Sequence, residues 1–420
     1  MPFFDCCTLE RILNDMMEGT TPLARTMLSH YFRLLATAFL LALSLAPDSA
    51  RGQSKPFTFI TIGDGGDAGT VLDGCARYML EAAREGDRQG RPIQLLLFLG
   101  DNFYPNGLNH PREETRRDLI RDILGPHTEL MRKLGRDNVH AIPGNHDYYC
   151  ATLNSIPYGS CDMGNRYERE IADWTYHMHE PALIRRAVAE GSADSVDMLL
   201  FDSSLLLTQD ISRWRPALDS MERMLRASAT ARGVRWRIIM AHHSPYSVGE
   251  HGGYRLWLGG ERRVGYIGNC LEDRQDPFKY VEQLLSHQDN CTPRYRAYSD
   301  SLMALIGRSG AKVQMLMAGH DHSLQLLNYP GRTCDNCPQI FVVSGAGSKR
   351  GRVKSPAPPF EFTHPLNTPE ETGHSAGGFT ICTFEGDTLA LTFIDAKDGR
   401  PLDMGGITTF RIDRDGGLVR

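Results

Sequence analysis

The chain has 420 residues, of which 41% are hydrophobic and 23% charged, and its formal net charge is −5. These values are ordinary for a soluble globular protein. The slightly acidic balance offers no basic face of the kind that binds nucleic acid, so we expect no nucleic-acid partner. The 41 glycines and 23 prolines indicate many turns, which favours an α/β or β protein over a helical bundle.

An apolar run of 13 residues, Leu34–Ala46, lies near the start of the chain. Arg33 precedes it and Pro47 with small residues follows it, which is typical of a secretory signal. The run is shorter than an ordinary membrane span, so we expect no stable membrane insertion after cleavage; an uncleaved anchor is the alternative. We interpret residues 1–50 as an N-terminal extension and signal peptide, with Met27 as the true start, and predict a secreted or periplasmic protein.

Cysteine usage agrees with export, because eight of the ten cysteines lie beyond residues 1–50. An even number in an exported chain favours disulfide bonds, although sequence alone leaves their connectivity open. We interpret Cys334 and Cys337 as a local loop staple, since no second C-x-x-C accompanies them. The eight cysteines are Cys75, Cys150, Cys161, Cys270, Cys291, Cys334, Cys337 and Cys382.

Five short apolar runs have the length and nearly continuous apolar character of strands buried on both faces. They are Phe57–Ile62, Ile93–Leu99, Val139–Ile142, Trp236–Ala241 and Val313–Ala318. Helical stretches lie between them, at Val71–Glu85, Arg112–Leu124 and Ser212–Ala229. This alternation of strands and helices predicts an α/β fold.

The C-terminal part reads as further strands joined by tight turns. The predicted strands are Ile340–Val343, Gly378–Phe384 and Leu389–Ile394, and Glu385–Asp387 is a hairpin turn. We expect these strands to complete a second sheet. Residues 255–296, rich in charge and glycine, look like an insertion, so we predict one domain over 51–420 with an insertion around 255–296.

Polar motifs follow the five predicted strands directly. They are Gly63–Gly66, Gly100–Tyr104, Gly144–Asp147, His242–Tyr246 and Gly319–His322. In open α/β sheets ligands bind beyond the carboxyl ends of the strands, so we expect these motifs to meet at one rim. Each motif alone is no more than a turn or a structural histidine. Five in order, supplying carboxylate, amide and imidazole groups, indicate metal binding.

This ordered set resembles the calcineurin-like metallophosphoesterases. Within them, Gly100–Tyr104 (GDNFY) resembles the purple acid phosphatases of the small, tartrate-resistant type, because Tyr104 follows Asp101 by three residues. The resemblance spans roughly Phe57 to Asp395 and implies two packed mixed β-sheets flanked by helices, a four-layer sandwich. One departure is Gly65, where those enzymes often carry an aromatic residue; it alters the pocket wall and not the ligand set.

The resemblance implies two metal ions bridged by Asp101. One ion, Fe(III), would be bound by Asp64, Asp101, Tyr104 and His322. The second, Fe(II), Zn(II) or Mn(II), would be bound by Asp101, Asn145, His242 and His320. Phenolate and carboxylates suit a hard trivalent ion, whereas an amide and two imidazoles suit a divalent one. His243 is an alternative to His242, since the family proline would select His243 and the later Tyr246 and Ser247 select His242, which we prefer.

The same resemblance assigns proton transfer to His146 and His251, either of which could protonate the leaving alkoxide. For His251 a plain loop histidine is the alternative. Asp147 is expected to orient its neighbours, and Gly345–Gly347 to be a structural turn.

The function implied is a binuclear-metal phosphatase that hydrolyses phosphate monoesters by attack of a metal-bound hydroxide and is active at acid pH. Its substrate would be a small phosphate ester, with phosphoprotein or nucleotide also open. One alternative is a Mn- or Zn-dependent phosphodiesterase or nucleotidase of the same fold. The other is a secreted binding protein that has lost catalysis.

Overall fold

The computed structural model describes residues 54–148, 163–208, 211–249, 251, 254–257, 260–263, 290, 292–329, 334–351, 353, 362–365, 376–403 and 406–419. Apart from residue 54 they belong to one compact unit, Lys55–Arg420. Several expectations fall outside the described residues: the signal peptide in residues 1–50, pairing among Cys150, Cys161, Cys270 and Cys291, and most of the insertion around 255–296.

The described strands and helices alternate from Thr58 to Tyr176, as the sequence predicts, whereas strands follow one another directly in parts of the remaining chain. In chain order the strands are β1 (Thr58–Ile62), β2 (Ile93–Leu99), β3 (Val139–Ile142), β4 (Thr175–Tyr176), β5 (Ala182–Ala187), β6 (Ser195–Leu200), β7 (Val234–Met240), β8 (Tyr254–Trp257), β9 (Gly260–Arg263), β10 (Met315–Ala318), β11 (Leu324–Asn328), β12 (Ile340–Ser344), β13 (Phe362–Pro365), β14 (Gly378–Glu385), β15 (Thr388–Asp395), β16 (Phe410–Asp413) and β17 (Leu418–Val419). The helices are α1 (Thr70–Arg88), α2 (Glu113–Leu124), α3 (Thr128–Leu134), α4 (Met163–Arg169), α5 (Ser203–Thr208), α6 (Ile211–Thr230) and α7 (Pro293–Ser309).

The strands form two large mixed sheets and one separate hairpin. The first sheet has the order β17-β16-β15-β14-β1-β2-β3-β4, and β1 to β4 run parallel in it. The second has the order β13-β11-β12-β10-β7-β6-β5, with β6, β7, β10 and β12 parallel. Strands β8 and β9 pair only with each other among the described residues. The predicted hairpin is confirmed, since Glu385 pairs with Thr388 across a two-residue turn. The expectation that the three C-terminal strands complete a second sheet is wrong for β14 and β15, which extend the first sheet because β14 pairs with β1.

Alternation along the strands explains how the layers pack. In β1, Phe59 lies in a core shared with the second sheet, whereas Ile60 points to the opposite face and packs with helix residues such as Met79. The outer face of the second sheet is likewise covered by α5, α6 and α7. Successive strand residues face opposite sides of a sheet, so apolar residues at every position produce strands buried twice. The predicted fold, two mixed sheets flanked by helices in four layers, is confirmed.

The five predicted strands that precede polar motifs all exist, with their carboxyl-terminal ends within one residue of expectation. They do not belong to one sheet, however. Strands β1, β2 and β3 lie in the first sheet, and β7 and β10 lie in the second. The rim that carries the motifs is therefore made by the edges of two facing sheets, which is why no single open-sheet rule describes it.

The cysteines only partly follow expectation. Cys334 and Cys337 form the predicted disulfide staple. Cys75 and Cys382 are free and buried, so the expectation that they take part in disulfides is wrong. The reason is spatial: Cys75 packs in the core between α1 and the first sheet, whereas Cys382 faces the core between the two sheets.

Across the residues that the structure describes, we find no helix with the length and apolar character required to span a bilayer.

His127 is a buried imidazole at the end of the short 3₁₀ turn Gly125–His127, which joins α2 to α3. Its ring meets Phe98 edge to face, with ring centroids 5.6 Å apart. The Nδ1 atom has no hydrogen-bond partner among the described residues. Burial therefore disfavours the charged form and lowers the pKa of His127 to about 4, from an ordinary value of 6.5.

The pKa of His127 is lower in the folded protein than in the unfolded chain, so the unfolded chain binds a proton at a higher pH. Acid should therefore destabilise the fold. The contribution is fully present above pH 6.5 and is lost as the pH falls toward 4, by up to about 3 kcal/mol. We predict that His127→Leu, which places an apolar side chain without a titratable group in this position, reduces the slope of Tm against pH in this range. Thermal unfolding monitored from pH 7 to pH 4 would test this, and a slope identical to that of the wild type would contradict it.

Candidate metal centre

Three of the predicted ligands share one backbone conformation. Each lies directly after a parallel strand and a glycine. Asp64, Asp101 and His320 have φ values of 57°, 53° and 69°. Residues with a Cβ rarely adopt this left-handed conformation, and such strain is characteristic of functional sites held in place by their surroundings.

The adjoining glycines allow the strand ends to approach one another closely. A Cβ atom at Gly319 would lie 2.7 Å from Oδ2 of Asp64, and one at Gly144 would lie 2.2 Å from Oδ1 of Asp101. Neither distance is compatible with a side chain. These two positions therefore require glycine because a carboxylate occupies the space, from the facing sheet at Gly319 and from the neighbouring strand at Gly144.

A first cluster of ligand-type atoms surrounds the phenol oxygen of Tyr104. This oxygen lies 3.0 Å from Oδ1 of Asp64, 2.9 Å from Oδ2 of Asp101 and 3.1 Å from Nε2 of His322. Asp64 and Asp101 are both buried. Three of the predicted ligands thus contact the fourth, Tyr104, although they lie in the loops that follow β1, β2 and β10.

A second cluster surrounds the side-chain oxygen of Asn145. It lies 3.0 Å from Nε2 of His242 and 3.1 Å from Nδ1 of His320. The other oxygen of Asp101, Oδ1, lies 3.4 Å from the same His242 nitrogen. Asp101 therefore presents Oδ2 to the first cluster and Oδ1 to the second.

The donor atoms fit metal ions. Neighbouring ligands on one ion with bonds near 2.1 Å are separated by about 3 Å, which is the spacing in both clusters. Neither Asp64 nor Asp101 forms an ion pair with a lysine or arginine among the described residues. Two buried carboxylates side by side are unfavourable unless a cation joins them. Groups able to hold an ion include Asp64, Asp101 and His242 and, separately, His242, His243 and His320.

The two adjacent histidines have different surroundings. Nδ1 of His242 donates to the Leu99 carbonyl at 2.7 Å, which leaves the Nε2 lone pair facing Asn145 and Asp101. His243 instead places Nδ1 2.8 Å from Oγ of Ser203, and its ring lies 4.3 Å from that of His320. Its Nε2 has no hydrogen-bond partner among the described residues.

The two histidines predicted to handle protons lie beside the clusters. The ring of His146 is 4.6 Å from that of Tyr104, and its Nδ1 contacts the Pro105 carbonyl at 2.8 Å. The ring of His251 stacks on His320 at 4.1 Å. Both side chains are half-buried, so each borders the centre without being enclosed by it.

Two further aspartates hold the surrounding loops. Asp147 accepts hydrogen bonds from the backbone amides of Gly144 at 2.7 Å and Asn102 at 2.9 Å, and so orients its neighbours as predicted. Asp321 accepts from the His251 amide at 3.0 Å and from the Ser247 hydroxyl. Sequence reasoning missed Asp321, although an unassigned carboxylate between His320 and His322 was a signal that could have found it.

Comparison with known proteins agrees with this geometry. Residues 57–324 match the family model described as calcineurin-like phosphoesterase. This chain belongs to that family. It is accordingly a metal-dependent phosphoric ester hydrolase, and family membership implies a centre of two metal ions.

Related phosphoesterases span most of the chain. Human tartrate-resistant acid phosphatase type 5 is 24% identical over 368 residues, which covers 84% of this chain and 91% of that protein. Purple acid phosphatase 17 of Arabidopsis thaliana is 24% identical over 314 residues, covering 70% of this chain and 69% of that protein. The chain is thus homologous to acid phosphatases at modest identity.

Solved structures share the fold. GAP50, described as the anchor in the inner membrane complex of Plasmodium, superposes with a TM-score of 0.54 at 14% identity, covering 86% of this chain and 89% of that one. PhoD superposes with a TM-score of 0.50 at 11% identity, covering 88% and 72%. At these identities the likeness concerns architecture alone.

In this phosphoesterase the surroundings of the first cluster shift the pKa values of its acidic groups in different directions. Burial, and then the charge of Asp101, raise the pKa of Asp64 well above its usual range. Burial together with Asp101 and Asp64 raises the pKa of Tyr104 in the same way. Burial also opposes ionisation of Asp101, but the facing His242 and His146 hold its pKa below the ordinary value. Burial lowers the pKa of His322 to about 3, so its imidazole is neutral and available as a donor.

If Asp64 and Tyr104 bind metal as anions, metal uptake at neutral pH must displace their protons, and the apparent affinity must rise with pH. We predict net proton release when metal-free protein is titrated with metal, measured by calorimetry in two buffers of different ionisation enthalpy. Tyr104→Phe should release about one proton fewer. An equal proton count in wild type and variant would mean that the phenol does not bind metal.

Proposed function

We propose that this protein hydrolyses phosphate monoesters at acid pH with a binuclear centre of the purple acid phosphatase type. The observation that carries the proposal is the position of the Tyr104 hydroxyl, in contact with Asp64, Asp101 and His322 at 2.9–3.1 Å. A buried phenol at the meeting point of two carboxylates and an imidazole is suited to a hard trivalent ion.

The proposed ligand sets follow the two clusters. Fe(III) would be held by Asp64, Asp101, Tyr104 and His322. Fe(II), Zn(II) or Mn(II) would be held by Asp101, Asn145, His242 and His320. The preference for His242 over His243 is supported by Nε2 of His242, which lies 3.0 Å from the side-chain oxygen of Asn145 and 3.4 Å from Oδ1 of Asp101.

When bound, the two ions supply Lewis acidity that activates water for attack and offsets charge on the phosphate. The chain supplies the remaining groups. Asp101 offers one oxygen to each cluster and so fixes their separation. His146 and His251 border the centre from opposite clusters, one against Tyr104 and one against His320. Either could give a proton to the leaving alkoxide, which must gain one as the ester bond breaks.

The test is the visible spectrum of purified protein lacking residues 1–50, with metal analysis of the same sample. We expect a broad charge-transfer band from a phenolate on Fe(III), and we expect Tyr104→Phe to lose it. The proposal also requires that the wild type hydrolyse p-nitrophenyl phosphate at acid pH. A colourless protein holding two Mn or Zn ions would contradict the Fe(III) assignment and favour a diesterase or nucleotidase of the same fold.

Asp101→Asn provides a second test, because it replaces one carboxylate oxygen by nitrogen with little change in the shape of the side chain. It should lose at least one metal ion and hydrolytic activity, whereas Tyr104→Phe removes a ligand of one site only. Full retention of both ions in Asp101→Asn would overturn the role of this residue as a shared ligand.

Export to the periplasm or the medium is part of the same proposal. It is supported by the sequence pattern of residues 1–50 and by the Cys334–Cys337 disulfide, which is typical of oxidising compartments. N-terminal sequencing of the protein recovered after expression of the full chain should find a start near residue 50. Recovery of an intact N-terminus in the cytoplasmic fraction would reject export.

A further inference from the structure

Among the described residues, one lysine lies against the first cluster. Lys349, which follows β12, places Nζ 3.2 Å from the ring centroid of Tyr104. Its side chain is half-buried. The charge of Lys349 also contributes to lowering the pKa of His322. The ammonium therefore belongs to the immediate surroundings of the centre, although no sequence motif singles it out.

This ammonium has no carboxylate partner among the described residues, and its recorded contact is the face of the Tyr104 ring. Removing a charge partly from water is unfavourable without a counter-charge, and a ring face compensates only in part. Other surface cations of the chain do find carboxylates, such as Lys312 with Asp415 at 2.7 Å. An anion that enters the centre would supply the missing partner.

The backbone that carries Lys349 is fixed to the centre. The amide of Gly347 donates to the Gly63 carbonyl at 3.0 Å, and the Ser348 hydroxyl donates to the Asp64 carbonyl at 2.5 Å. A Cβ atom at Gly345 would lie 2.1 Å from the Asp321 carbonyl oxygen. The turn predicted to be structural thus holds the backbone that leads into Lys349 against Gly63 and Asp64.

We propose that Lys349 binds the non-bridging oxygens of the substrate phosphate and so makes this site favour dianionic monoesters over monoanionic diesters. The inference rests on the proposed monoesterase function and deepens it. A fixed ammonium attracts a dianion more strongly than a monoanion, because the Coulomb energy scales with the charge of the partner. Charge-assisted hydrogen bonds to phosphate oxygens add geometric preference.

The test compares Lys349→Met with wild type, both loaded with metal. Calorimetry at pH 8 measures binding of inorganic phosphate, a dianion, and of dimethyl phosphate, a monoanion. We expect phosphate to bind about 10- to 100-fold more weakly in the variant, and dimethyl phosphate to change much less. The ratio of kcat/KM for p-nitrophenyl phosphate over bis(p-nitrophenyl) phosphate should fall in parallel.

Two variants serve as controls. Lys349→Arg keeps the charge and should retain most of the preference. Arg350→Met removes the adjacent cation, which is exposed and borders a different cavity with Thr70 and Asp395. This variant should leave the affinity for both phosphate and dimethyl phosphate unchanged. Metal content measured in every variant shows whether the centre is intact.

Equal losses for both anions, or no loss for either, would overturn the role of Lys349 while leaving a monoesterase in place. A wild type that hydrolyses neither ester would instead overturn the proposed function. In that case the phosphate titration still decides whether Lys349 binds the dianion.

Discussion

The centre depends on the position of Asp101, whose two carboxylate oxygens face different sets of donor atoms. One carboxylate can contact two clusters only if the clusters are about as close together as its two oxygen atoms. The strand ends that supply the clusters must therefore approach each other closely. The glycines of the rim provide this closeness, because at Gly144 even a methyl group would collide with Asp101. The left-handed turn at Asp101 is then the local strain that the surrounding contacts must hold in place.

The two facing sheets explain how ligands distant in sequence meet. Asp64 and Asp101 follow parallel neighbours of the first sheet, and His242 and His320 follow parallel neighbours of the second. The shared core between the sheets fixes the separation of these edges. Close packing makes such a core resist deformation. The geometry of the candidate centre is therefore set by apolar packing behind it and not only by the polar groups themselves.

Much of this could be predicted from the sequence, for physical reasons that also mark the limits. Buried strands such as Ile93–Leu99 are continuous apolar runs, so their ends, and the polar motifs that follow them, can be recognised in the sequence. Strand β5 alternates weakly and carries Arg185 and Arg186, so it gave no comparable signal. Which sheet each strand joins depends on long-range pairing, which periodicity does not encode. The proposed preference for His242 over His243 rests on ring directions, which the sequence does not contain. Lys349 lies in no recognisable motif, because it follows Tyr104 by 245 positions in the chain.

Charge balance connects the proposed ligands to the proposed substrate. Asp64, Asp101 and Tyr104, bound as anions, would together balance the trivalent ion, so that the charge of the divalent ion is left to the attacking hydroxide and the substrate. A dianionic phosphate monoester supplies two negative charges there, and a diester supplies one. Lys349 adds positive charge on the side of the centre where Tyr104 lies, and burial lowers the pKa of His322 to about 3, so this imidazole is a neutral donor. Selection for the charge of the substrate would thus follow from the same buried acidic groups that are proposed to hold the metal ions.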